Sequence, residues 1–151
     1  MYNVYLLAKE SLVKSGRIMN ILLIEDNNLD AYLIDDIIKR INKTYNVIVK
    51  TDAKSALEFF NELKSKPEGV IKPDLIILDL VLPDLSGFEV LRQIKEDEEH
   101  RKIPVIVFSA SMSEDDKIKS LHLGAVVYFR KPENLTDYTD AVVSFINLFS
   151  V

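Results

Sequence analysis

Cysteine is absent from the 151 residues. That excludes disulfides, thiolate zinc sites and a cysteine nucleophile. Glycine is held to 4 and proline to 5, so low-complexity linkers are excluded. Apolar runs are short: the longest, such as residues 125–129, are five residues, against roughly 20 for a membrane span. Lys9 and Glu10 stand where an export signal would need its apolar stretch. With cysteine absent as well, the expected location is cytoplasmic. Basic excess is lacking: 19 Lys+Arg face 24 Asp+Glu, a net charge of -5, which argues against a nucleic-acid-binding surface. What is present is a globular composition, 48% hydrophobic and 28% charged, in a chain the size of one domain.

Short β-branched runs alternate with segments whose apolar residues recur three and four apart. Residues 21–24 form the first run, followed by Leu29, Leu33, Ile34, Ile37, Ile38 and Ile41 on one helical face. Residues 45–49 precede a stripe of Ala53, Ala56, Leu57, Phe60 and Leu63, with Asp52 as N-cap. Residues 75–78 are apolar throughout, as a strand covered on both faces should be. Ser86 and Glu89 have capping-box spacing ahead of Val90, Leu91 and Ile94. Residues 105–108 form the fourth run; Ser113 and Asp116 open a helix with Ile118 and Leu121 inward and Gly124 as its stop. Residues 125–128 are the fifth run, and apolar spacing predicts a last helix over 135–149. Five strands alternating with five helices predict an α/β fold, a doubly wound parallel sheet with right-handed crossovers. Residues 64–73 read as an exposed loop, and residues 1–18 lie outside the pattern as an N-terminal extension, helical by its apolar residues or upstream of a start at Met19.

Ligands of such sheets sit outside the carboxyl ends of the strands. Glu25 and Asp26 follow the first run, Asp79 the third, Ser109 the fourth and Lys131 the fifth. Three carboxylates at close range repel one another, and a divalent cation relieves this; hard oxygen ligands suit Mg²⁺. The hydroxyl and the ammonium then suit an anionic group beside the metal, and a phosphoryl group fits.

The stretches Leu22-Leu23-Ile24-Glu25-Asp26-Asn27, Asp74-Leu75-Ile76-Ile77-Leu78-Asp79-Leu80 with Pro83, Asp84 and Gly87, then Val107-Phe108-Ser109-Ala110 and Lys131-Pro132 resemble the receiver domain of two-component response regulators. The resemblance covers residues 19–149, within a receiver domain of 19–151, and the segment after Lys131 is similar to single-domain regulators that pair with phytochrome-type kinases. It implies a CheY-like sheet of order 2-1-3-4-5. It makes Asp79 the acceptor of a phosphoryl group from a sensor histidine kinase, and Glu25, Asp26, Asp79 and the Val81 carbonyl the ligands of Mg²⁺. Ser109 and Lys131 would hold the phosphoryl group, and Tyr128 would be the aromatic switch that moves with Ser109. The Lys131–Pro132 peptide would be cis. Val81 and Ser111 would flank the phosphoryl group, and neither is suited to orienting a water, so hydrolysis should be slow.

His100 and His122 read as surface histidines. From Ala141 onward the last helix is free of charge, with more apolar residues than one inward stripe needs. A homodimer through the fourth helix, fifth strand and fifth helix is expected, with Phe145, Leu148 and Phe149 in its patch. The resulting expectation is a stand-alone response regulator acting through a downstream protein target, since the 18 residues outside the receiver are too few for a DNA-binding domain. The alternatives are a phosphorelay intermediate and an unphosphorylated scaffold. A dehalogenase-type phosphatase would carry a second Asp where Val81 stands.

Overall fold

The computed structural model describes residues 18–65 and 68–150. The expectations for the extension before Ile18 lie outside them. Five strands, β1 (Asn20–Ile24), β2 (Asn46–Lys50), β3 (Leu75–Leu78), β4 (Val105–Ser109) and β5 (Val127–Arg130), pair in parallel in the order β2-β1-β3-β4-β5. The helices are α1 (Asn28–Ile41), α2 (Ala53–Ser65), α3 (Gly87–Glu96), α4 (Glu114–His122) and α5 (Leu135–Phe149). This is the expected doubly wound fold.

Alternation along the strands divides the core in two. Ile21 and Leu23 of β1, Leu75 and Ile77 of β3, and Ile106 and Phe108 of β4 face α1 and α5. Leu22, Ile24, Ile76, Leu78, Val105 and Val107 face α2 and α3. Every residue of β3 is buried, because both of its faces are covered.

The helix starts follow their caps. Asn27, Ser86, Ser113 and Asn134 each accept a first-turn N–H. Asp52 accepts from Ser55 N at 2.6 Å, as its capping position requires. The capping box at Ser86 is only half made, because Glu89 turns to Arg92 and Gln93 instead. Gly124, at φ +108°, ends α4 in a Schellman turn: its N–H bonds Leu121 O and the next N–H, from Ala125, bonds Ser120 O.

Several expectations are corrected. Tyr45, Ala125 and Val126 fall before their strands; the N–H groups of Tyr45 and Ala125 are spent on Asn42 O and Ser120 O. Leu29 is exposed, since the buried stripe of α1 runs through Ala31, Ile34, Ile37 and Ile38. Ile118 and Leu121 are exposed rather than inward; the buried residue of α4 is Ser120, whose hydroxyl satisfies itself on Asp116 O at 2.7 Å. His100 is not a surface residue. It is 3% exposed, tilted against Phe60 at 4.9 Å, with Nδ1 3.3 Å from Asp97. Phe145 and Phe149 are fully buried and supply no outward patch; Phe145 packs on Phe108 and Phe129 at 5.1 and 5.4 Å. The helix α2 continues through Ser65, so the connection before β3 begins two residues later than expected and runs to Asp74.

Candidate functional site

Glu25 and Asp26 follow β1 and Asp79 follows β3, on neighbouring strands paired up to Ile24 and Leu78. Parallel pairing therefore brings three carboxylates to one edge, with oxygens all within 4.8 Å of one another. Two backbone bonds fix the arrangement: Glu25 N donates to Lys50 O, and Asp79 N to Ile24 O, each at 3.0 Å. Glu25 and Asp79 are buried, while Asp26 is exposed.

Lys131 follows β5, tied there by its N–H to Ser109 O at 2.7 Å. Its Nζ donates to Glu25 Oε2 at 2.8 Å, Asp79 Oδ2 at 3.1 Å and Asp30 Oδ2 at 3.3 Å. Burial works against the ammonium, but the three carboxylates outweigh it and hold Lys131 up at about 12. Burial, with the charge of Asp79 beside it, pushes Glu25 up to about 8 against the pull of Lys131. One ammonium thus faces four carboxylates, counting Asp30 and Asp26. That surplus of hard oxygen donors, with no sulfur or imidazole among them, fits a divalent cation such as Mg²⁺.

Ser109 is fully buried at the end of β4, its hydroxyl accepting the Ser111 N–H at 3.3 Å. Tyr128 is half-buried on β5, and its hydroxyl donates to Ser111 O at 2.8 Å. The loop from Ser109 to Ser111 is thereby tied to the Tyr128 ring. Val81 is 66% exposed, with its N–H on Asp79 Oδ1 at 3.2 Å. The Lys131–Pro132 peptide is trans, not cis. X–Pro bonds favour trans by about 0.5–1 kcal/mol, and Lys131 reaches its three carboxylates from that form.

Residues 21–143 match the response regulator receiver domain. The chain belongs to the receiver-domain family. Response regulator Rcp1 of Synechocystis sp. is 37% identical to this receiver over 117 residues, 78% of this chain and 79% of Rcp1. The Mn²⁺-bound structure of Rcp1 is similar with a TM-score of 0.76 and 34% identity, covering 84% of this chain and 91% of that one. The phosphorylated cyanobacterial phytochrome response regulator RcpA is similar with a TM-score of 0.81 and 32% identity, covering 88% and 94%.

The receiver fold brings together Glu25, Asp26, Asp79 and Lys131, all legible as residues just beyond strands. Two further site residues sit one turn inside helices. Asp30 of α1 contacts Lys131, and Tyr138 of α5 donates its hydroxyl to Asp30 Oδ1 at 2.8 Å. Their signal in the sequence is a polar group on a buried stripe. Asp30 is in phase with Ile34, Ile37 and Ile38, and Tyr138 with Val142, Phe145 and Phe149.

Proposed function

We propose that this receiver domain takes a phosphoryl group onto Asp79 from a phosphohistidine of a sensor histidine kinase and signals through protein contact. The observation that carries the reading is Lys131 Nζ at 3.1 Å from the Asp79 carboxylate, in a pocket of otherwise surplus negative charge. An Asp79 oxygen attacks phosphorus. The O–P bond forms as the P–N bond breaks, and the electron pair leaves with the imidazole. The transferred group adds about −1.5 to −2 charges. Lys131 is already placed to meet them.

Glu25, Asp26, Asp79 and the Val81 carbonyl would hold Mg²⁺, which when bound neutralises charge on the group being transferred. Ser109 sits at the end of the strand beside β3 and would bond a phosphoryl oxygen. Its movement would free the space that Tyr128 enters, and would break the Tyr128 hydroxyl from Ser111 O. The similarity to RcpA and Rcp1 supports a phytochrome-type kinase as donor. The output face is the one made by α4, β5 and α5, through which the protein would pair with a second copy. Ile118 and Leu121 are its exposed apolar residues on α4.

The test is intact-mass analysis after acetyl phosphate and Mg²⁺. The wild type should gain one phosphoryl group and Asp79→Asn none; an unchanged wild-type mass would overturn the reading.

A further inference from the structure

Asp30 is an acid on the core stripe of α1, and each of its oxygens has one partner. Oδ2 takes Lys131 Nζ at 3.3 Å, the longest of the three bonds that ammonium makes. Oδ1 takes the Tyr138 hydroxyl at 2.8 Å. Tyr138 is buried and its ring is fixed edge-on to Phe108 at 5.1 Å, so the hydroxyl is aimed by packing. Phe108 in turn packs edge-on to Phe145 at 5.1 Å and precedes Ser109 in the chain. A chain of two hydrogen bonds therefore runs from the ammonium beside Asp79 to the inner face of α5, without passing through Ser109 or Tyr128.

We propose that Asp30 and Tyr138 are positioning residues that set Lys131 against Asp79 and carry the charging of Asp79 into α5. The inference rests on the reading of Asp79 as the phosphoryl acceptor. The Tyr138 hydroxyl draws Asp30 charge toward α5 and so limits the pull of Asp30 on the ammonium. Without that hydroxyl, the Asp30 carboxylate keeps Lys131 as its ion-pair partner and draws Nζ away from Asp79. When Asp79 gains a phosphoryl group, the new charge draws Lys131 toward itself and away from Asp30. The carboxylate of Asp30 then leans on Tyr138, whose charge-assisted bond tightens.

The experiment uses the full chain with ¹³C-labelled tyrosine and ¹⁵N-labelled backbone amides, Mg²⁺ and beryllofluoride, a phosphoryl mimic. The Tyr138 ring signal, assigned by its loss in Tyr138→Phe, should shift when the mimic binds. The shift should vanish in Asp30→Ala while the Tyr128 signal still moves. Tyr138→Phe keeps the ring and its packing, and should slow phosphorylation by acetyl phosphate about three- to tenfold, the scale of one hydrogen bond. In an Asp30→Ala background it should slow nothing further, because its effect passes through Asp30. A Tyr138 signal that stays still while the Asp79 and Ser109 amides shift would overturn the relay alone. So would a Tyr138→Phe rate equal to wild type, or equal slowing in both backgrounds. No shift at Asp79 in the wild type would overturn the acceptor reading and the relay with it.

Discussion

Gly87 lies against the main chain of Asp79: a Cβ built on it would stand 2.4 Å from the Asp79 carbonyl oxygen and 2.5 Å from the Leu80 Cα. The first turn of α3 therefore seats directly on the Asp79–Leu80 main chain, with Gly87 N bonded to Leu80 O at 2.9 Å. These are backbone atoms, which cannot swing aside for a side chain. Gly87→Ala should cost about 1–3 kcal/mol of stability, as overpacking does, and should slow phosphorylation of Asp79 by displacing its loop. Urea unfolding and acetyl phosphate labelling check the two effects; a variant as stable and as fast as wild type would contradict the seating.

On the reading of Asp79 as phosphoryl acceptor, Val81 and Ser111 would flank the group and set its lifetime. Val81 is apolar and exposed, and the Ser111 hydroxyl is already committed to Asp116 while accepting the Ser113 N–H. Val81 offers no acceptor, and the Ser111 hydroxyl, held between Asp116 and Ser113, brings no carboxylate or amide to align a water. Val81→Asn should shorten the half-life of the phosphorylated protein several-fold, read by the decay of the phosphorylated mass. An unchanged half-life would count against the argument.

His100 makes stability depend on pH. Burial lowers its affinity for a proton, opposed by Asp97 and Glu99 and helped by Lys64 and Lys72. The unfolded chain takes up that proton near its ordinary value of about 6.5, while the folded ring resists until lower pH. The folded state binds fewer protons in that window, so stability is full above it and falls as pH drops through it. Between about pH 7.5 and about pH 5.5 the wild type should lose more unfolding free energy than His100→Phe, which keeps the ring packed on Phe60. Equal losses in the two proteins would place the acid sensitivity elsewhere.

The expected self-association no longer rests on Phe145 and Phe149, which are core residues. Ile118 and Leu121 are the exposed apolar residues that α4 brings to that face. Replacing both by Asp should leave folding intact and abolish any dimer that sedimentation detects with beryllofluoride. A dimer indifferent to both changes would place the contact on another face.

Sheet order and the gathering of the acidic edge were legible because both depend on short-range pattern. Parallel strands put the residue after each run at one edge, so Glu25, Asp26, Asp79, Ser109 and Lys131 could be gathered by counting. What was not legible depends on which way a helix faces. Periodicity placed Ile118 and Leu121 on one face of α4 but not which face is inward, and a small Ser120 turned out to be the buried one. The surplus of apolar residues on α5 reads as a second face, yet Phe145 fills the space beside Phe108 and Phe129, which spacing alone does not show. Asp30 and Tyr138 escaped because a polar residue on an apolar stripe gains its meaning from a partner on another helix.

The measurement closest to the centre of the account is the location of the phosphoryl group. The wild type should be treated with acetyl phosphate and Mg²⁺, then with borohydride, which reduces an acyl phosphate to the alcohol, and digested. Homoserine is expected at position 79 and at no other aspartate, with none when Mg²⁺ is withheld or Lys131 is replaced by Ala. Homoserine at Asp26 or Asp30, or a peptide bearing unmodified Asp79 after full treatment, would contradict it.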